Sequence, residues 1–166
     1  LPVTEPGWTR KIALEWVRRI EAGPFDSLAL GERNAFPTPD IVALMGACAA
    51  LTERVKIVAS VAVVTMHDPV LLAKQYATID VLCDGRLVLG VGTGGRHEDY
   101  LAIGADPSRR RIGALEESVR TMRRVWRGET VVPGLLRPVE PFPVQPGGPK
   151  ILAGVLGPKG VANAAR

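Results

Sequence analysis

The residues best able to do chemistry fall in short clusters: Gly31-Glu32-Arg33-Asn34, Thr65-Met66-His67-Asp68, and Thr93-Gly94-Gly95-Arg96-His97-Glu98. Arg33 and Arg96 carry planar forks that stay charged and suit a phosphate or another anion, or they are solvated surface charges. Glu32 suits a hydrogen bond to a ligand, or an ion pair with Arg33 or Arg96. His97 is one of only 2 histidines and stands beside Glu98, which fits an acid or base near neutral pH or a plain surface loop. Asp68 precedes Pro69 and reads as a helix cap, leaving His67 a lesser candidate.

The third cluster follows an apolar run and opens with Gly90, Gly92, Gly94 and Gly95. Glycine removes the Cβ wall, so a flat or phosphorylated ligand could approach the backbone there. A dinucleotide fingerprint fits poorly. It wants a third glycine inside the next helix and an acidic residue ending the next strand about 20 residues on, whereas Glu116 and Glu117 fall in a helical stretch. A nucleotide- or S-adenosylmethionine-binding domain is therefore a minor alternative. With the histidines far apart and no Cys-x-x-Cys, no metal site is expected. No Gly-x-Ser-x-Gly elbow points to a serine hydrolase.

The elements that must position these clusters alternate. Trp8, Ile12, Trp16, Val17 and Ile20 recur at helical spacing up to Gly23-Pro24, and 25–30 reads as a short buried strand. A helix is expected over 40–52, capped by Thr38 or Asp40, then a β-branched strand over 55–64. Pro69 to Leu82 predicts a third helix and 86–91 a strand. A helix follows from Ile112 to Trp126, then a Pro/Gly-rich excursion over 133–149, a strand over 151–155 and a helix near Pro158. Near-continuous apolar strands alternating with helices predict a parallel α/β architecture, in one domain over 1–166, with functional groups at the carboxyl ends of the strands. The helical stripes are expected to be core, some facing a second subunit.

Composition narrows the class. The chain has 166 residues, 46% hydrophobic and 23% charged, which suits one globular domain. The net charge of +4 comes from dispersed arginines with one cluster at Arg109–Arg111, and aromatics are only 5%. Neither a nucleic-acid surface nor a membrane span is expected. Cys48 and Cys83 lie in apolar stretches and read as buried thiols in a reducing, cytoplasmic setting.

The succession Phe25-Asp-Ser-Leu, Leu51-Thr-Glu-Arg-Val-Lys-Ile, His67-Asp-Pro-Val-Leu-Leu-Ala-Lys-Gln, Ala77-Thr-Ile-Asp-Val-Leu-Cys-Asp-Gly-Arg-Leu, Leu89-Gly-Val-Gly-Thr-Gly-Gly-Arg and Arg123-Arg-Val-Trp-Arg-Gly closely resembles the bacterial luciferase-like monooxygenases. The resemblance implies a (β/α)8 barrel of the TIM type that uses reduced FMN or a deazaflavin coenzyme, commonly as a homodimer. It also implies that only about the first five βα units are present, since a full barrel needs roughly 250 residues, with Leu1-Pro2-Val3 the tail of a first strand. The activity implied is that of an FMN-dependent monooxygenase acting on a small organic substrate with O₂, or of a deazaflavin-dependent hydride-transfer enzyme. A cofactor-free barrel segment with a binding or assembly role is the non-enzymatic alternative.

The same resemblance assigns residues. Ser60-Val61 matches a strand bulge with a non-prolyl cis peptide that backs the flavin ring. Thr93, Gly94, Gly95, Arg96 and Gly154 fall where the cofactor passes, with Arg33 and Arg96 suited to an anionic reduced flavin. Glu32, Arg33 and His97 are the catalytic candidates. Deazaflavin-dependent sugar-phosphate dehydrogenases of the family carry an Asp-His pair and a Glu where this chain has Glu32-Arg33 and Gly95, which favours flavin chemistry.

Overall fold

The computed structural model describes residues 7–155 and 157–165. The expected strand at Leu1-Pro2-Val3 lies outside the described residues. Among these, four strands form one parallel sheet in the order β1-β2-β3-β4, matching the four expected within the described residues.

The first helix, α1 (Arg10–Ala22), starts where the Thr9 hydroxyl accepts the Ile12 N–H. It ends where the Arg54 guanidinium gathers the carbonyls of Ile20, Glu21 and Gly23, which would otherwise lack partners. Val17 and Ile20 are buried and Trp8 packs on the core, but Ile12 and Trp16 are exposed, so two of the five residues of the expected apolar stripe are not core of this chain.

Strand β1 (Ser27–Leu30) alternates exposed and buried positions. Helix α2 (Ile41–Leu51) is capped by Asp40, whose carboxylate accepts the Ala43 N–H at 2.7 Å. Thr38 caps nothing, because its hydroxyl donates to the Arg33 carbonyl. Strand β2 (Lys56–Ala62) stops short of the expected Val64. The chain turns into a 3₁₀ segment at Val64–Met66, whose side chains are buried, so the β-branched run reflects burial beyond the ladder.

Helix α3 (Pro69–Leu82) opens on Asp68, which accepts the N–H groups of Val70 and Leu71. It lies against both α2 and α5 (Ile112–Trp126). The Trp126 indole N–H donates to the Ala73 carbonyl at 2.9 Å, fixing α5 on α3. Strand β3 (Leu87–Val91) is almost wholly buried. The short helix α4 (His97–Ala102) follows it; sequence periodicity missed it, because six residues with a polar first turn make too little pattern.

The excursion over 133–149 returns to the core through Gln145. Its backbone and side-chain N–H groups donate to the two carboxylate oxygens of Asp80, and the side chain also reaches the Leu87 carbonyl. This accounts for a carboxylate at 0% exposure on α3. Strand β4 (Lys150–Ala153) and helix α6 (Gly157–Ala164) close the described chain. No helix among the described residues is long and apolar enough to cross a membrane.

All three ladders are parallel, so the carboxyl ends of the strands share one edge of the sheet. The segments after β1, β2 and β3 therefore meet there, which brings the chemical clusters together.

Candidate functional site

The site begins with an irregularity in β2. Ala59 pairs with Leu89 and Ala62 with Val91, so Ser60 and Val61 together face the single residue Gly90. This is a bulge, the usual device by which a strand re-aims its backbone. The Ser60–Val61 peptide is cis, as the resemblance implies.

The glycines of β3 answer this bulge. A Cβ on Gly90 would come within 2.3 Å of the Ala59 carbonyl oxygen, and one on Gly92 within 3.0 Å of Val61 Cγ2. On Gly94, where φ is +70°, it would meet Val63 Cγ1 at 2.8 Å. Gly154 likewise clears space for Val61, at 3.0 Å from Cγ1. The alternate glycines thus make room for β2 and for Val63 just beyond it. Only Gly95 of this run has nothing within 4 Å of its Cβ position, so only there does the original expectation of open space hold.

Beside the bulge is a cavity of about 420 Å³. Ser60, Val61 and Val63 form one wall, and Gly31, Glu32 and Arg33 come from the end of β1. Gly94, Gly95, Arg96 and Asp99 supply the third side. The cavity joins seven of the expected site residues, namely Glu32, Arg33, Ser60, Val61, Gly94, Gly95 and Arg96. It does not include Thr93, Gly154 or His97. Thr93 turns its carbonyl to the Tyr100 hydroxyl, Gly154 sits behind Val61, and His97 is exposed on the first turn of α4.

Glu32 is the most constrained acid of the site. One carboxylate oxygen accepts the Val63 N–H at 2.6 Å, and the other lies 2.5 Å from His67 Nε2. The expected ion pairs of Glu32 with Arg33 or Arg96 do not form. Burial alone would lower the His67 pKa; the hydrogen bond to Glu32 and the charges of Glu32 and Asp40 outweigh it and raise the pKa above its ordinary value. Glu32 also donates its own N–H to the Val61 carbonyl, so it holds both flanks of the bulge's exit.

Arg33 is paired with Asp99 instead, through Nε at 2.9 Å. The second Asp99 oxygen accepts the N–H groups of Asn34 and Ala35 at 2.8 and 2.9 Å. Burial works to raise the Asp99 pKa, but the Ala35 N–H, the Arg33 guanidinium and the Asn34 N–H hold it below the usual carboxylate range. Asp99 is the site residue that sequence reasoning missed. Asp99 lies in the unrecognised helix α4. His67, the lesser candidate, is the group that pairs with Glu32.

Two guanidiniums of the cavity lining lie over one ring. Arg33 Cζ lies 3.9 Å from the Phe36 centroid and Arg96 Cζ lies 5.6 Å from it.

A family model described as luciferase-like monooxygenase matches residues 4–166. F420-dependent glucose-6-phosphate dehydrogenase of Tsukamurella paurometabola is 35% identical over 119 residues, covering 66% of this chain and 35% of that protein. Limonene 1,2-monooxygenase of Rhodococcus erythropolis is 34% identical over 124 residues, covering 71% of this chain and 31% of that protein. Among solved structures, the oxygenating constituent of 3,6-diketocamphane monooxygenase from Pseudomonas putida, in complex with FMN, superimposes with a TM-score of 0.73 at 18% identity. That match covers 92% of this chain and 48% of the other. The chain therefore spans about a third of the curated relatives and about half of the solved structure. Strand order, bulge and family match agree: the chain belongs to the luciferase-like monooxygenase family.

Proposed function

We propose that the protein is an oxidoreductase that binds reduced FMN at the carboxyl ends of its strands and oxygenates a small organic molecule. A deazaflavin serves hydride transfer in the second reading, favoured by the F420-dependent relative. The observation that carries the proposal is the bulge at Ser60–Val61 beside a cavity walled by three strand ends. A flat ring system fits this setting. The bulge presents the Ser60–Val61 peptide as a wall, and Gly95, on the same cavity, has open space at its Cβ position.

A bound flavin or deazaflavin supplies the redox chemistry; the chain supplies placement, charge and proton handling. Glu32 holds its carboxylate at the cavity wall, with Oε1 2.5 Å from His67 Nε2. Arg33 and Arg96 set a positive rim. The absence of an Asp-His pair at Glu32-Arg33, and of a carboxylate at Gly95, supports the FMN reading over sugar-phosphate hydride transfer.

Fluorescence and heat titration of the full-length protein with FMN, the deazaflavin coenzyme and S-adenosylmethionine test this. Saturable binding of FMN is expected, and binding of the deazaflavin in its place would select the second reading. Binding of S-adenosylmethionine alone, or of none, would overturn both.

A further inference from the structure

The ladder between β1 and β2 pairs residues as far as Leu30 and Ala59. The cavity wall, Ser60, Val61 and Val63, lies just past that point, where its peptide groups need other partners. Glu32 supplies them from the end of β1. Its N–H donates to the Val61 carbonyl at 3.2 Å, and its carboxylate accepts the Val63 N–H at 2.6 Å. Strand β3 holds the residue between, since the Gly92 N–H donates to the Ala62 carbonyl at 2.9 Å. Gly31 lets the two segments approach, because a Cβ there would stand 3.1 Å from the Ser60 carbonyl oxygen.

The same carboxylate has a second holder. After the buried turn Val64–Met66 the chain brings His67 back to it, with Nε2 2.5 Å from Oε1. One side chain thus closes the whole 63–67 connection. His67 stands outside the cavity lining and is partly exposed, whereas the Glu32 side chain is nearly sealed. Solvent therefore reaches the imidazole while the acid it holds stays at the wall. An imidazolium holds a carboxylate by opposite charge as well as by the hydrogen bond, and the neutral ring keeps at most the hydrogen bond.

The charges around His67 favour its proton. Glu32 faces it from β1 and Asp40 acts from the head of α2. Its neighbour Asp68 is turned to the N–H groups of Val70 and Leu71. On α3 the buried Tyr76 feels the same Glu32 and Asp40 charges. Arg109 and Arg110 act on Tyr100, which meets the Thr65 hydroxyl.

We infer that Glu32 and His67 form a proton-controlled clamp, in which the carboxylate positions the wall from Val61 to Val63 against the bound ring and the charge of His67 sets how tightly that ring is held. Glu32 is a positioning residue in this arrangement, and His67 acts through it. The clamp rests on the cavity being the ligand site proposed above, and it gives that site a pH dependence. Affinity is full while His67 is charged. It falls as pH rises through the folded value, which lies above the unfolded value of about 6.5.

Titration of the full-length protein with FMN and with the deazaflavin coenzyme from pH 6 to pH 9, followed by fluorescence and visible absorption, tests the clamp. Wild-type affinity is expected to fall about threefold to tenfold across this range relative to His67→Gln, which keeps a donor beside Glu32 but does not titrate. The absorption band of the bound cofactor should shift with pH in the wild type and stay fixed in the variant, a readout that a mere loss of stability does not move. Glu32→Gln, whose amide oxygen can still accept the Val63 N–H, should bind more tightly than Glu32→Ala, and both should lose the wild-type slope. Amide hydrogen exchange of the ligand-free protein reads the clamp directly: Val63 protection, corrected for the intrinsic rate, should fall over the same range in the wild type and stay level in His67→Gln. Parallel profiles of wild type and His67→Gln, in affinity or in Val63 protection, overturn the clamp. If neither cofactor binds at any pH while the Val63 slope is present, the proposed function and its ligand coupling fall and the clamp on the wall stands.

Discussion

Glu32 and His67, 35 positions apart in sequence, meet at 2.5 Å and tie the end of β1 to the segment that leads into α3. The Glu32 side chain is 3% exposed and His67 26%, so the pair links a dry acid to a partly wetted base. Because the His67 pKa is raised on folding, the pairing contributes fully below the unfolded histidine value of about 6.5. It fades as pH rises through the higher folded value.

His67→Gln should therefore flatten the pH dependence of stability on the alkaline side of pH 6.5. Urea unfolding across this range measures it. The expected loss at acid pH is about 1–3 kcal/mol, typical of a charge-assisted hydrogen bond with a buried partner. The same slope in variant and wild type would show that the pair does not titrate as described.

Asp99→Asn removes the charge that orders the segment after β1. With one oxygen accepting two backbone N–H groups and the other facing Arg33, a destabilisation of about 1–3 kcal/mol is expected. The sign with pH is opposite to that of His67. A lowered carboxylate pKa contributes above the unfolded value of about 3.9 and is lost as pH falls through the native value. Acid titration of the folded fraction should show the variant less sensitive below pH 4.

Gly90→Ala should be far more damaging than Gly46→Ala. The first places a Cβ 2.3 Å from a carbonyl oxygen of β2, while the second meets nothing within 4 Å. Overpacking of this kind costs about 1–3 kcal/mol or more, whereas the helical Gly46→Ala should stabilise by up to about 1 kcal/mol. Thermal melts of the two variants give the comparison.

Cys48 should resist thiol reagents in the native protein. It is fully buried, and burial pushes its pKa up to about 11, so almost no thiolate exists at neutral pH. Cys83 is buried too, with its pKa raised first by burial. Labelling by a disulfide reagent at pH 7 should be negligible until denaturant is added, when both thiols react.

The sequence made the order of strands and helices readable, because apolar runs bounded by Asp-Pro and Gly are local signals; Asp68 and Asp40 cap where their types suggest. Residues of the cavity wall were legible where they follow a strand, as with Glu32 and Gly95. Their partners were not. Glu32 could be matched with Arg33 or Arg96 on charge alone, and only the fold reveals that His67 is nearer. Arg54, which closes α1 from 31 residues away at Gly23, shows the same limit: a side chain that caps a distant helix leaves no local pattern.

The socket around Val61 has a consequence for how this chain can change over time. Gly92 and Gly154 each leave room for one of its two methyl groups. A side chain at either glycine would press on Val61 at 3.0 Å, a crowding that a smaller residue at position 61 relieves, although at Gly154 the Val91 carbonyl oxygen stays 3.3 Å away. The order of substitutions is thereby biased: Val61→Ala eases the step at Gly92. A lineage that had taken that step would be expected to accept alanine or serine more readily at position 92, and a return to valine would then be disfavoured.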